Sequence, residues 1–276
     1  MRFRTSFHRP AILAGFIAMA VLAGSAWQAA PAHAEAPQPA VKSLKSEKPK
    51  RLLFVGNSYL YYNDSLHNHV RRMVIAAGIH EKKQLKYKSA TISGSMLFDH
   101  NMDAYLEPGK LRVKDPFQVV VMQGFSAAAI RKGHPPKFTK TVAEFAKKIE
   151  AAGGEAALYM THAYVKPHKK ADPNMIREIE KLYVETGNKV GAIVIPVGLA
   201  FEEAYKQRPS MNLHKDYDGS HPNLDGTYLA SCVVFASLYG MSPVGNSYDY
   251  FGKVDKETAA FLQKVAEQTV NKFYGR

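Results

Sequence analysis

Five short runs dominated by apolar and β-branched residues recur along the chain: RLLFVG (51–56), LKYKSATI (85–92), FQVVVMQ (117–123), EAALYMTH (155–162) and GAIVIPVG (191–198). Three of them are almost unbroken in apolar character, the pattern of strands covered on both faces of a parallel sheet. The stretches between them carry helical periodicity. In FTKTVAEFAKKIEAAGG, Val142, Phe145 and Ile149 share one face, Lys147, Lys148 and Glu150 point away, and Gly153-Gly154 supplies a stop. In PNMIREIEKLYVETGNKVG, Pro173 suits a first turn, and Ile176, Ile179, Leu182 and Tyr183 form the apolar stripe. LHNHVRRMVIAAG after the first run is a third such segment. This alternation predicts right-handed βαβ crossovers, and so an α/β fold: a three-layer α/β/α sandwich around a five-stranded parallel, flavodoxin-like sheet. Two further helices are expected over 224–239 and 256–273.

The N-terminus reads differently. Arg2, Arg4 and Arg9 precede the apolar run AILAGFIAMAVLAG (11–24) and the small-residue triplet Ala32-His33-Ala34. That order predicts a secretory signal peptide over 1–34, cleaved after Ala34, and hence a secreted or periplasmic protein without a transmembrane anchor once the leader is removed. The single Trp27 leaves with it. Residues 35–50 (EAPQPAVKSLKSEKPK) are rich in Pro and Lys and lack apolar periodicity, so a flexible, solvated linker is expected there, with one domain over 51–276.

The formal charge is +13, and loss of the three leader arginines lowers it to +10. An exported cation of this kind is attracted to acidic envelope polymers. No basic stripe interleaved with aromatics marks a nucleic-acid surface. Cys232 is the only cysteine, which excludes an intramolecular disulfide, and its place in ASCVVFASL predicts a buried, inert thiol.

In an open parallel sheet ligands bind at the carboxyl ends of the strands, so polar residues that directly follow a strand are the first candidates for chemistry. The pentapeptide VGNSY occurs twice, at 55–59 and 244–248. The first copy follows the first strand and precedes a helix, which puts Ser58 where a hydroxyl can attack a carbonyl while backbone N–H groups steady the oxyanion. The second follows a helix and a Met-Ser-Pro breaker, with no strand before it, so Ser247 is expected to be structural.

A nucleophilic serine needs a base, and the base needs an orienting carboxylate. YDGSHPNLDGTYLA supplies Asp218 and His221 in a D-x-x-H-P arrangement ahead of a helix entered through Asn223. His214 and Asp216 lie close by, but the set lacks the i, i+4 register or the cysteines of common zinc sites, so neither metal nor cofactor is expected. Asn63 and Asp64 are expected to cap the first helix with Ser65, and His67 and His69 to lie at the surface or near that cap. Asn57, Tyr59, Tyr62 and His162 are candidate pocket residues, with Tyr61 a further member of the aromatic wall. Ser126 is expected to form a turn.

GNS after the first strand together with D-x-x-H-P late in the chain resembles the SGNH hydrolase superfamily, also called GDSL-type esterases, with Asn57 at the position usually held by Asp. The resemblance runs from Arg51 to about residue 240. It implies Ser58 as nucleophile, His221 as base and Asp218 as its orienter. It also implies an oxyanion hole of the Ser58 N–H, a glycine after the second strand and an amide after the third. Gly94 in ATISGSM fills the glycine position. In place of the family's third-block Asn the strand VVVMQ ends in Gln123, the only amide there. The expected activity is hydrolysis of an ester-linked acyl group, short and carried on a small molecule or a polysaccharide such as an acetylated glycan, through an acyl-enzyme. Two rivals remain open from sequence: an acyltransferase using the same triad, and a non-catalytic glycan-binding protein on the same fold.

Overall fold

A computed structural model describes residues 37–276; the segment read as a leader, 1–34, lies outside the described residues. The sheet is built from β1 (Arg51–Gly56), β2 (Lys86–Thr91), β3 (Val119–Gln123), β4 (Glu155–Tyr159) and β5 (Ile193–Ile195), all parallel, in the order β2-β1-β3-β4-β5. Leu52, Leu53, Phe54 and Val55 of β1 and Val119 to Met122 of β3 are fully buried, as their unbroken apolar runs require. Each such side chain contributes about 1.5–3 kcal/mol of burial free energy.

The helices are α1 (Ser58–Tyr61), α2 (Leu66–Ala76), α3 (Met102–Leu106), α4 (His134–Ala151), α5 (Met175–Val190), α6 (Val197–Gln207), α7 (Leu224–Tyr239) and α8 (Lys256–Tyr274). Helix α2 packs on α7, and α7 on α8 and α6, whereas α4 pairs with α5. The step from β1 to β2 runs opposite to the steps β3 to β4 to β5, so right-handed crossovers place α2 on one face and α4 and α5 on the other. Helix α7 has no polar face, and every residue from Gly226 to Tyr239 is buried, Cys232 among them. None of the helices among the described residues is long and apolar enough to cross a membrane.

Two expectations change. The run GAIVIPVG is not one strand: β5 stops at Ile195, Pro196 has no N–H to continue the ladder, and α6 starts at Val197. Residues 37–50 form neither helix nor strand, yet they are fastened down rather than solvated as a linker. The Glu155 carboxylate accepts from the N–H groups of Lys45 and Ser46, both at 2.7 Å. The Asn188 amide accepts from Ala40 N–H at 2.7 Å and donates to Gln38 O at 2.9 Å, and Pro49 is buried. Glu155 and Asn188 thus satisfy backbone groups that a free linker would leave to water.

Candidate active site

β1 and β3 are the neighbours at which the chain reverses direction across the sheet, and β1 ends by delivering Asn57 and Ser58 to that crevice. Asn57 leaves the strand and caps α1: its Oδ1 accepts from Tyr59 N–H at 3.2 Å, and its Nδ2 donates to Ser95 O at 2.9 Å. Ser58 opens the helical turn with 8 % of its surface exposed.

His221, the candidate base, comes from a turn that builds itself locally. Asp218 Oδ1 accepts from the N–H groups of Ser220 at 2.8 Å and His221 at 3.0 Å, which leaves Oδ2 for His221 Nδ1 at 2.5 Å. Gly219 is required here: its φ is +61°, and a Cβ would stand 2.1 Å from Val165 O. Across the crevice His221 Nε2 lies 2.9 Å from Ser58 Oγ. Because the carboxylate accepts at Nδ1, that nitrogen holds the proton, and Ser58 O–H donates to Nε2. Partial burial raises the Asp218 carboxyl, but the hydrogen bonds from the His221 ring and from two backbone N–H groups outweigh it and hold the group below the usual carboxylate range.

No family model and no curated protein matches the sequence. Solved structures do match in shape. A DUF4886 family protein from Bacteroides uniformis superposes with a TM-score of 0.61 at 17% identity, covering 79% of this chain and 93% of its own. A putative SGNH hydrolase from Slackia heliotrinireducens gives 0.55 at 20% identity over 68% and 98%. An acetyl xylan esterase, AlAXEase, gives 0.51 at 17% identity over 67% and 98%. The chain has the SGNH-hydrolase fold.

Within this SGNH fold the oxyanion position differs from the sequence-based expectation. Gln123 is 1% exposed and turned into the protein: its Oε1 accepts from Asn57 N–H at 2.9 Å, and its Nε2 donates to Gly124 O. It braces the turn that carries Ser58 and is not an oxyanion donor. The physical reason is Gly56, where a Cβ would stand 2.5 Å from Gln123 Oε1 and 2.9 Å from Leu60 Cδ1; the glycine makes room for the amide to fold back. Two donors remain. The Ser58 N–H is the first of α1 and has no intrahelical acceptor. Gly94 is exposed, with φ +67°, and its N–H has no backbone acceptor among the described residues. The Gly94 turn is tied to the turn that carries Ser58 by Asn57 through Ser95, whose hydroxyl also meets His100 Nε2 at 3.0 Å. The Asn that replaces the usual Asp in the first block therefore has a use: its Nδ2–H donates to a carbonyl, which a carboxylate cannot do.

The aromatic residues divide. Tyr62 lies against the His221 ring at 4.5 Å between centroids and stacks on Tyr61 at 5.5 Å. A hydrogen bond with Tyr217, with burial second, pushes its phenol up to about 12. Tyr59, Asn57 and His162, expected in the pocket, are buried beneath it, at 4%, 3% and 0% exposure. Tyr59 donates to or accepts from Ser220 Oγ at 2.9 Å and stacks on His162 at 4.4 Å, and His162 stacks on Phe201 at 4.3 Å. The His162 Nε2–H donates to Ser220 O at 2.8 Å, and burial, aided by the nearby His214, holds the ring neutral. These rings support the Asp218–His221 turn through Ser220. His214 is spent on Tyr205 OH at 2.7 Å and Ala163 O at 3.1 Å. Ser126 Oγ meets Tyr164 OH at 2.7 Å.

Asn63, expected at a cap, does something else. It does not cap α2, whose N-cap, Ser65, makes no side-chain cap bond. Its Nδ2 reaches Pro222 O at 3.0 Å, Asn223 O at 2.9 Å and Thr227 Oγ1 at 2.7 Å, so it clamps the residues just after His221 to the loop just after Ser58. Its own carbonyl accepts from His69 Nε2–H at 2.6 Å, and His69 is fully buried rather than at the surface. Asn63, Asp64 and Ser65 all have positive φ (53°, 70° and 60°), and Asp64 is held by Arg72 at 2.6 Å. Three consecutive non-glycine residues in this region are costly. A positive φ cannot be read from a sequence window, but N-D-S directly after an aromatic run is a turn-prone triplet that marks the place.

Proposed function

We propose that the protein is an exported serine esterase that removes a short acyl group, such as acetyl, from a glycan through an acyl-enzyme. The observation that carries the reading is the chain of contacts Asp218 Oδ2 to His221 Nδ1 at 2.5 Å and His221 Nε2 to Ser58 Oγ at 2.9 Å, at the carboxyl edge of the sheet. His221 Nε2 takes the Ser58 proton as Oγ bonds to the ester carbon. The carbonyl oxygen becomes an anion facing the Ser58 and Gly94 N–H groups. The imidazolium, stabilised by the Asp218 carboxylate, returns the proton to the leaving alkoxide as the ester bond breaks. Water repeats the sequence: His221 takes its proton, the acid leaves, and Ser58 is restored. The recessed Ser58 and the Tyr62 ring beside His221 favour a small acyl group. The likeness in fold to an acetyl xylan esterase agrees with an acetyl ester on a sugar.

The test is labelling by a fluorophosphonate probe, which reacts quickly only with an activated serine. The wild-type protein should be labelled at Ser58, and His221→Ala should lose labelling. A wild-type protein that stays unlabelled while folded overturns the esterase reading. Acetate release from acetylated xylan or acetylated pectin tests the acyl group; turnover confined to long-chain esters overturns that part alone.

A further inference from the structure

The rim of the Ser58–His221–Asp218 cluster combines an aromatic wall with lysines that form no ion pair among the described residues. On one side of His221, Tyr61 and Tyr62 stack, and Tyr217 stands next to Asp218 with 70% of its surface exposed. Lys215 reaches over this wall, its Nζ 5.9 Å from the Tyr62 ring centre, while its backbone frames the triad turn by accepting from Gly219 N–H and donating to His221 O. The loop from β4 to α5 is joined to the same turn, because Val165 N–H donates to Gly219 O at 2.9 Å. His168 stacks on Tyr164 at 3.7 Å and accepts from Lys170 N–H at 3.1 Å, so this loop is shaped by its own contacts. It presents Lys166, Lys169 and Lys170, all exposed.

Among the described residues none of Lys166, Lys169, Lys170 and Lys215 forms an ion pair. The acids of the rim are engaged elsewhere. Asp172 accepts from Asn174 N–H at 2.8 Å, Asp216 from the Asn212 amide, and Asp218 from His221. Those carboxylates keep their charge, so four lysines stand against three acids, a surplus of one positive charge, beside flat rings that fit the C–H face of a sugar.

We infer that the acyl ester cleaved here is carried on an anionic glycan, whose carboxylates or phosphates are held by Lys166, Lys169, Lys170 and Lys215 while a sugar ring lies on Tyr62 and Tyr217. This rests on the esterase reading and adds the chemical class of the chain that bears the ester. The lysines act as point charges and do not distinguish carboxylate from phosphate, so both sources are tested.

The experiment compares acetylated polygalacturonate, an acetylated phosphodiester-linked polysaccharide and acetylated xylan as anionic and neutral carriers of one acyl group. At low salt kcat/KM should be about tenfold or more higher on at least one anionic polymer, with the gain in KM. That preference should collapse toward unity near 0.5 M salt, where screening falls well below the roughly 10 Å reach at 0.1 M. Lys166→Gln/Lys169→Gln/Lys170→Gln should lower the preference ratio about tenfold, with Lys215→Gln adding to it. Lys82→Gln/Lys83→Gln/Lys86→Gln, which removes equal charge at the start of β2, should leave the ratio unchanged. Equal kcat/KM on all three polymers, or an equal loss from both triple variants, overturns the proposal. Failure of the esterase reading is separable. Ser58→Ala protein, titrated with deacetylated polygalacturonate and deacetylated xylan, should still bind the former more tightly, and equal binding counts against the lysine rim whatever the chemistry.

Discussion

The two copies of VGNSY give the same local turn and different outcomes. In the first, Asn57 Oδ1 accepts from Tyr59 N–H at 3.2 Å; in the second, Asn246 Oδ1 accepts from Tyr248 N–H at 3.1 Å. The five letters thus fix a local hydrogen bond, since Asn followed by a residue free to turn accepts from the backbone two positions on. The surroundings set everything beyond that bond. Gly56 is pressed against Gln123 and Leu60, and Ser58 faces His221. Nothing lies within 4 Å of a Cβ built on Gly245, and Ser247 is exposed. Only the first copy is delivered by a buried strand to a histidine 163 residues away in sequence.

The second copy is nevertheless not idle. Tyr248 OH meets His69 Nδ1 at 3.0 Å, His69 Nε2–H meets Asn63 O, and Asn63 holds the backbone after His221. It stands two contacts behind the clamp.

The most severe test of this contrast is to exchange the serines for alanine. Ser58→Ala should lower kcat/KM for 4-nitrophenyl acetate by roughly 10⁴-fold or more, as loss of a triad nucleophile does, and Ser247→Ala should change it less than twofold. Equal effects in a steady-state assay would end the distinction. Asn63→Ala comes next: with the clamp gone, the Ser58 to His221 distance loosens, and kcat should fall about 10- to 100-fold with KM nearly constant, since small misplacements cost about that much. Asn63→Ala protein with unchanged melting temperature and unchanged kcat would show that the clamp is unnecessary.

Two tests concern stability. Gly56→Ala places a methyl against Gln123 and should cost about 1–3 kcal/mol by urea denaturation, as overpacking does. Gly245→Ala, in open space but at φ +80°, should cost about 1 kcal/mol from backbone strain alone. The buried histidines set the acid response. Burial lowers His162, His69 and His214, the last to about 4, so the native rings stay neutral while the unfolded ones protonate near 6.5. The unfolded chain then binds more protons, and stability, full above about pH 6.5, falls as pH drops toward 4. Urea midpoints that stay flat between pH 7 and 4.5 would contradict this. Tyr248→Phe, which removes only the outermost hydroxyl of the chain to Asn63, should have a small effect, a loss of about twofold in kcat.

The fold was legible because its information is local. Runs such as FQVVVMQ and the stripe Val142, Phe145, Ile149 announce burial over a few residues, and β3 and α4 appear where those patterns lie. α6 escaped because the apolar run GAIVIPVG hides a change of structure at Pro196. Within the site, Asp218 and His221 were legible together, since three residues of separation let one turn join them.

Residue order alone carries the strand and helix pattern, the Asp-x-x-His turn and the serine that follows the first strand. Packing in three dimensions chose which groups those residues meet. It turned Gln123 inward onto Asn57, took Asn63 from a cap to a clamp, sank His162 under the Asp218–His221 turn and fastened residues 37–50 to Glu155 and Asn188. Each of these joins elements far apart in the chain, where the choice of hydrogen-bond partner is made by packing and by the need to leave no buried polar group unpaired.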